Sequence, residues 1–201
     1  MTAALTSTTI ILASASPRRR NLLDLMGMDF EVDPSDVNET PFAREEPVSF
    51  ASRAAREKTH EVARRHPGRL VVGADTVVEV DSEILGKPSS AEGAAVMLRR
   101  LSGRSHFVHT ALAVVVDGAY HGVVDSAKVQ FVDLTDDVIR WYVATGEPMD
   151  KAGAYAIQGL GGLLVVRVEG SPHTVVGLPL HRLPELFAAH ELDFWQMLEK
   201  S

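Results

Sequence analysis

Asp75 is the side chain in this sequence with the most acute electrostatic problem, and so the first candidate for chemistry. It follows Leu70-Val71-Val72-Gly73-Ala74, a continuous apolar run of the kind shown by a strand buried on both faces. A carboxylate emerging from such a run loses solvation, which raises its pKa unless a cation or hydrogen-bond donors compensate. Carboxylates at strand ends, near a switch point of an α/β sheet, are a common place for ligands. The plainer alternative is a structural aspartate capping a turn, and position alone leaves both readings standing.

Basic residues in small-residue surroundings supply the complement. Arg18 and Arg19 fall in the first turn of a helix that Ser16-Pro17 starts, where they oppose the helix macrodipole at a cost of roughly a few tenths of a kcal/mol. A bound phosphate removes that mismatch, because free N–H groups and guanidinium groups both donate to it. This argument assigns Arg18 to an anionic ligand and leaves Arg20 in water; Arg19 fits either. Lys58, Lys87 and Lys151 are point charges beside small residues, each able to neutralise phosphate oxygens or simply to be solvated. Lys58 shares the apolar stripe Ala51, Ala55, Val62, so it either snorkels to the edge or reaches through the alanine face into a cleft. Glu39, in an acidic loop, could join Asp75 in holding a hard cation. Mg²⁺ or Mn²⁺ suits such a pair, since magnesium takes one or two carboxylates plus substrate phosphates.

Several other patterns fail. Gly86-Lys87 lacks the glycine spacing of a P-loop, and Pro88 stands where that motif has a hydroxyl residue. His106 and His109, three apart in a predicted strand, face opposite ways and cannot share a metal. No G-x-S-x-G nucleophile elbow occurs. Gly159-Leu160-Gly161-Gly162 is too generic to mark a dinucleotide site.

The elements that must position these groups are legible in outline. Ile10 to Ala13 reads as a short buried strand, followed by a helix with Leu22, Leu25 and Met26 on its inner face and Gly27 at its end. A polar loop from Asp33 to Pro47 leads to a helix from about Val48 to Arg65. The strand around Asp75 runs on to Val80 and turns at Asp81-Ser82-Glu83 into a short return through Ile84-Leu85. Ser89 or Ser90 caps a helix ending near Leu101. His106 to Val116 and Ala119 to Leu134 form a hairpin about Asp117-Gly118. Thr135 caps a further helix, a glycine-rich loop runs from Asp150 to Gly162, and a strand from Leu163 to Val168 precedes a last helix from Pro179 to about His190, bent at Pro184. The expectation is an α/β fold with a mixed, twisted sheet flanked by helices.

Composition bounds the function. The 201 residues fit one domain, or two small lobes sharing a cleft. The absence of cysteine excludes disulfides, zinc–thiolate sites and thiol nucleophiles, and suits a reducing cytoplasm. A net charge of −7 provides no general attraction to nucleic acid or anionic lipid, and the apolar stretches are too short to span a bilayer. Ala13-Ser14-Ala15 mimics a signal-peptidase site, but no basic residue precedes the apolar segment, so a strand is the expectation there.

Taken together, the segments resemble the Maf nucleotide pyrophosphatases. The matching pieces are LASASPRR (Leu12 to Arg19), AREK (Ala55 to Lys58), GADTVV (Gly73 to Val78), GKP (Gly86 to Pro88), LRRLSGRSH (Leu98 to His106), GEPMDKAGAYAIQGLGG (Gly146 to Gly162) and VVGLPL (Val175 to Leu180). They stand in the family's order along almost the whole chain. The resemblance implies a fold related to the inosine-triphosphate pyrophosphatases, with two lobes about a deep cleft, and a homodimer. It implies that Asp75 is the proton acceptor, and that Arg18, Thr76 and Gln158 mark substrate choice. Ser14, Arg19, Glu39, Lys58 and Lys87 match positions lining the phosphate and metal site. The branch acting on 7-methyl-GTP carries tryptophan, glutamine and glutamate in place of Arg18, Thr76 and Gln158, so this sequence resembles the branch hydrolysing dTTP, UTP and modified pyrimidine triphosphates. A house-cleaning role linked to cell-division arrest is implied with it. The rival expectations are an inosine- or 7-methyl-guanosine-triphosphate enzyme, and a non-catalytic division regulator. One departure is Asn38, where an acidic residue often precedes the metal-site glutamate.

Overall fold

A computed structural model describes residues 9–199. The elements run β1 (Ile10–Leu12), α1 (Pro17–Leu25), β2 (Phe30–Val32), α2 (Pro47–Arg65), β3 (Val71–Val80), β4 (Glu83–Leu85), α3 (Ala91–Leu101), β5 (Ser105–Val116), β6 (Ala119–Phe131) and α4 (Asp136–Ala144). Short 3₁₀ turns occupy much of the stretch from Glu147 to Leu164. Then follow β7 (Val165–Glu169), α5 (Pro172–Val176), α6 (Leu183–Ala188) and α7 (Phe194–Leu198).

The strands form one seven-stranded sheet in the order β2-β1-β3-β5-β6-β7, with β4 also on β3. β1 lies parallel to β2 and β3, and the remaining pairings are antiparallel, so the sheet is mixed as expected. Both tight hairpins use two consecutive residues at positive φ, Asp81-Ser82 and Asp117-Gly118. That turn geometry matches the right-handed twist of the strands it joins.

β3 is shared. Its start pairs with β1 at Val71 and Val72, its end pairs with β4 at Val78 to Val80, and its other edge pairs with β5 from Val71 to Glu79. Residues 73–77 therefore have a strand partner on one side only, and the sheet carries a notch there. Along one face, the core is divided at the same level. One apolar cluster holds Val72, Ala74, Leu112 and Val114 with α1, α6 and α7; another holds Val78, Val80, Val108 and Val129 with α3 and α4. Between them lie Thr76 and Thr110 in register. α2 covers the opposite face, packing Phe50, Ala51, Ala54 and Ala55 on Val77, Ala111 and Ala113.

Several sequence expectations need correction. Leu25 is 82% exposed, and Leu23, at 0%, takes its place inside α1, because the buried stripe of the helix is Arg19, Leu22 and Leu23. β2, α5 and α7 were not expected; each is only three to five residues long and too short to show a period. The expected final helix is a 3₁₀ turn followed by α6, with Pro184 in the first turn of α6, where a missing N–H is tolerated. Asp75 lies within a continuous strand rather than after one.

Candidate active site

Asp75 faces α2, and Gly73, two residues earlier, explains how α2 comes so close. A Cβ at Gly73 would stand 2.1 Å from Thr59 Oγ1, so only glycine admits the helix at this distance. The approach carries Lys58, next to Thr59, into the notch. Its Nζ lies 2.6 Å from Asp75 Oδ1 and 2.9 Å from Glu39 Oε1. Lys58 therefore reaches the cleft rather than snorkelling, and is buried together with Asp75. Burial pushes the Asp75 carboxyl above its ordinary range, against the opposing pull of Lys58 and Arg19. For Glu39 the balance reverses: burial tends to raise its pKa, but Lys58, with Lys87 and Arg19, draws it down.

On the other face, Arg19 is a buried frame rather than a solvated cation. Its Nε donates to the Gly177 carbonyl at 2.7 Å, and its two terminal nitrogens donate to Ser14 Oγ at 2.9 Å and Thr76 Oγ1 at 3.1 Å. Burial lowers its pKa, and the Asp75 charge acts in the opposite sense. Gly177 has φ +112°, and a Cβ there would stand 3.0 Å from Thr76 Oγ1. Arg18 lines the same cavity beside Asp150. It is half-buried, and desolvation lowers its pKa while the Asp150 charge raises it.

All ten residues singled out in the sequence line one cavity of about 320 Å³: Ser14, Arg18, Arg19, Glu39, Lys58, Asp75, Thr76, Lys87, Lys151 and Gln158. That volume falls within the range of small-molecule sites. Lys87 and Gln158 are exposed at its rim, and Lys151 is ion-paired with Asp150. Asn38 does not line it. Its Oδ1 instead accepts from the Thr40 N–H at 3.0 Å and the Thr40 hydroxyl at 2.6 Å, which shapes the turn next to Glu39.

Four contributors escaped the sequence reading. Asp150 and Tyr155 line the cavity. Glu147 holds the loop carrying Gln158 by accepting from the N–H groups of Leu160 and Gly161 and from the Tyr142 hydroxyl. Thr110 lies behind Thr76. Glu147, Asp150 and Tyr155 belong to the matched segment from Gly146 to Gly162, which was the only signal available for them. Nothing in the local pattern marked Thr110.

Among the described residues, no three His, Cys, Asp or Glu side chains group to hold a metal, and no helix is long and apolar enough to cross a membrane. The carboxylates of Asp75 and Glu39 do converge on one ammonium. That pair of hard oxygen donors fits a divalent cation that completes its shell with phosphate and water.

Residues 9–190 match the family described as Maf-like protein. The dTTP/UTP pyrophosphatase of Myxococcus xanthus (strain DK1622) is 52% identical over 174 residues, 86% of this chain and 88% of that protein. The dTTP/UTP pyrophosphatase of Moorella thermoacetica is 46% identical over 191 residues, covering 92% and 97%. Among solved structures, the Staphylococcus aureus Ham1 protein matches with a TM-score of 0.50 at 14% identity, over 96% of this chain and 94% of that one. That last likeness is one of fold alone.

Proposed function

The chain belongs to the Maf-like protein family, and from that premise we propose that it is a nucleoside triphosphate pyrophosphatase converting dTTP and UTP to the monophosphate and pyrophosphate. The observation that carries this reading is the buried Asp75, bound to Lys58 in a cleft that also gathers Arg18, Lys87 and Lys151. The relatives at about half identity are named for this activity.

In this reading Asp75 takes the proton of a water that attacks the α-phosphorus; a new P–O bond forms, the α–β bridging bond breaks, and pyrophosphate leaves. A carboxylate whose pKa is raised by burial is a better base than an ordinary one, which suits the role. Lys58 fixes one Asp75 oxygen and leaves the other for the water. Lys87, Lys151 and Arg18 offset the charge developing on the leaving group. Arg19 and Ser14 hold the floor of the site, while Thr76 and Gln158 meet the base. Asp75 and Glu39 would hold Mg²⁺ or Mn²⁺, which when bound withdraws charge from phosphate oxygens. A cytoplasmic homodimer belongs to the same reading, and the cysteine-free composition is in keeping with that compartment.

Pyrophosphate release from a panel of nucleoside triphosphates tests this. Release from dTTP and UTP, and its loss in a folded Asp75→Asn variant, is expected. Preference for purine triphosphates, or full activity in D75N, would overturn it.

A further inference from the structure

Thr76, Thr110 and Asp125 stand side by side on β3, β5 and β6: Thr76 pairs with Thr110, and Thr110 with Asp125. They form a polar row on the cleft face, where the two apolar cores part. α5 lies across the row through Thr174, whose hydroxyl donates to Asp125 and whose carbonyl accepts from the Thr110 hydroxyl at 2.7 Å. Asp125 is held in turn by Arg182 Nε at 3.0 Å and His181 Nε2 at 3.2 Å.

This arrangement fixes hydroxyl protons. A threonine hydroxyl has one proton to give and two lone pairs. Thr110, fully buried, gives its proton to a carbonyl, which can only accept. In its 2.9 Å contact with Thr76, Thr110 must therefore accept, and Thr76 must donate. A guanidinium only donates, so the 3.1 Å bond from Arg19 takes one of the Thr76 lone pairs. Thr76 lines the cleft with its proton already committed and a single lone pair remaining.

We propose that Thr110, though outside the cleft, is a specificity-determining positioning residue: it makes Thr76 a pure acceptor toward the substrate, and so selects pyrimidines that present an N–H at ring position N3. This rests on the nucleotide reading above. Uracil and thymine carry N3–H, whereas cytosine offers a bare N3 lone pair that would face the lone pair of Thr76. Sites built around a particular hydrogen bond reject analogues that cannot make it, because buried polar groups are left unpaired.

The wild-type protein provides the first test: kcat/KM for UTP should exceed that for CTP by about tenfold or more. Thr110→Val keeps the shape but frees the Thr76 proton to turn toward the cleft, so the UTP/CTP ratio should fall by about tenfold, while Thr110→Ser should retain it. A general structural defect would lower both substrates together and leave the ratio unchanged. Calorimetric binding of UMP and CMP reads the same ratio in any variant that binds without turning over. A wild-type protein indifferent between UTP and CTP, or a folded T110V protein with the wild-type ratio, overturns the proposal. Absence of pyrophosphate release from every triphosphate would instead overturn the reaction, and UMP against CMP binding would still decide the role of Thr110.

Discussion

Lys58 and Asp75, on α2 and β3, are joined by a 2.6 Å ion pair in which each side chain is only 8% exposed. Removing one partner of a buried pair is costly because the other charge is left in a poorly solvating site. Lys58→Met should lower stability by about 3 kcal/mol in urea unfolding. The double variant with Asp75→Asn should recover much of that loss. A cost near zero for K58M would show that water, and not Lys58, balances the Asp75 charge.

Gly73 sets the distance across which that pair forms. Gly73→Ala drives a methyl group into Thr59, and overpacking of this kind costs about 1–3 kcal/mol. Because the yielding element is α2, the variant should also lose activity by separating Lys58 from Asp75. Adding Thr59→Ala removes the oxygen 2.1 Å from the new Cβ and should restore part of both properties. Additive losses in the double variant would rule out this contact as the cause.

The neighbouring arginines should separate cleanly. Arg19 makes three hydrogen bonds that a lysine ammonium cannot reproduce from one point. Arg19→Lys should therefore reduce stability by about 2 kcal/mol, on the scale of charged hydrogen bonds. Arg18→Ala should change stability by under about 0.5 kcal/mol yet raise KM for the triphosphate. Thermal unfolding alongside steady-state kinetics distinguishes the two; a destabilised R18A with unchanged KM would reverse the assignment.

His106 should make the fold sensitive to acid. It is buried, its Nε2 bonds the Tyr155 hydroxyl at 2.8 Å, and its Nδ1 is unpartnered. Burial lowers its pKa from 6.5 to about 4. Between those values the unfolded chain binds a proton that the folded one refuses, so stability rises with pH and is lost as pH falls through the interval. At roughly 1.4 kcal/mol per pH unit, the contribution is about 3 kcal/mol at most. His106→Phe keeps the ring contacts with Phe131 and should flatten the stability profile between pH 6.5 and 4. An unchanged slope would assign acid sensitivity to the carboxylates.

Legibility in the sequence followed length of pattern. α2, α3 and the β5–β6 hairpin were read closely because each has enough residues to reveal a period, and the hairpin turn has its own chemistry in Asp117-Gly118. β2, α5 and α7 owe their form to the surfaces they pack on, which no window of sequence contains. The same limit applies to the site. Asp75 declared itself by an apolar neighbourhood, whereas the depth of Lys58 depended on Gly73 and Thr59 meeting across two elements. The switch of Arg19 from a possible surface cation to a buried frame required Gly177, distant in sequence but only 2.7 Å away. Thr110 was invisible because its part depends on where a proton goes.

The long pairing of β3 with β5 has a consequence for how such a protein can change. Asp75 and Thr76 sit in the middle of a ladder from Val71 to Glu79, the part of a sheet that yields last to local opening. Glu39, Lys87 and Gln158 hang from connecting segments with no ladder of their own. Asp75 and the Thr76–Thr110 pair are thus mounted on the ladder, while Glu39, Lys87 and Gln158 stand on compliant rims. Substitutions in the rims can retune which nucleotide is held at little cost to the folded state, while the carboxylate stays in place. A lineage of such proteins can diverge in diet without diverging in reaction.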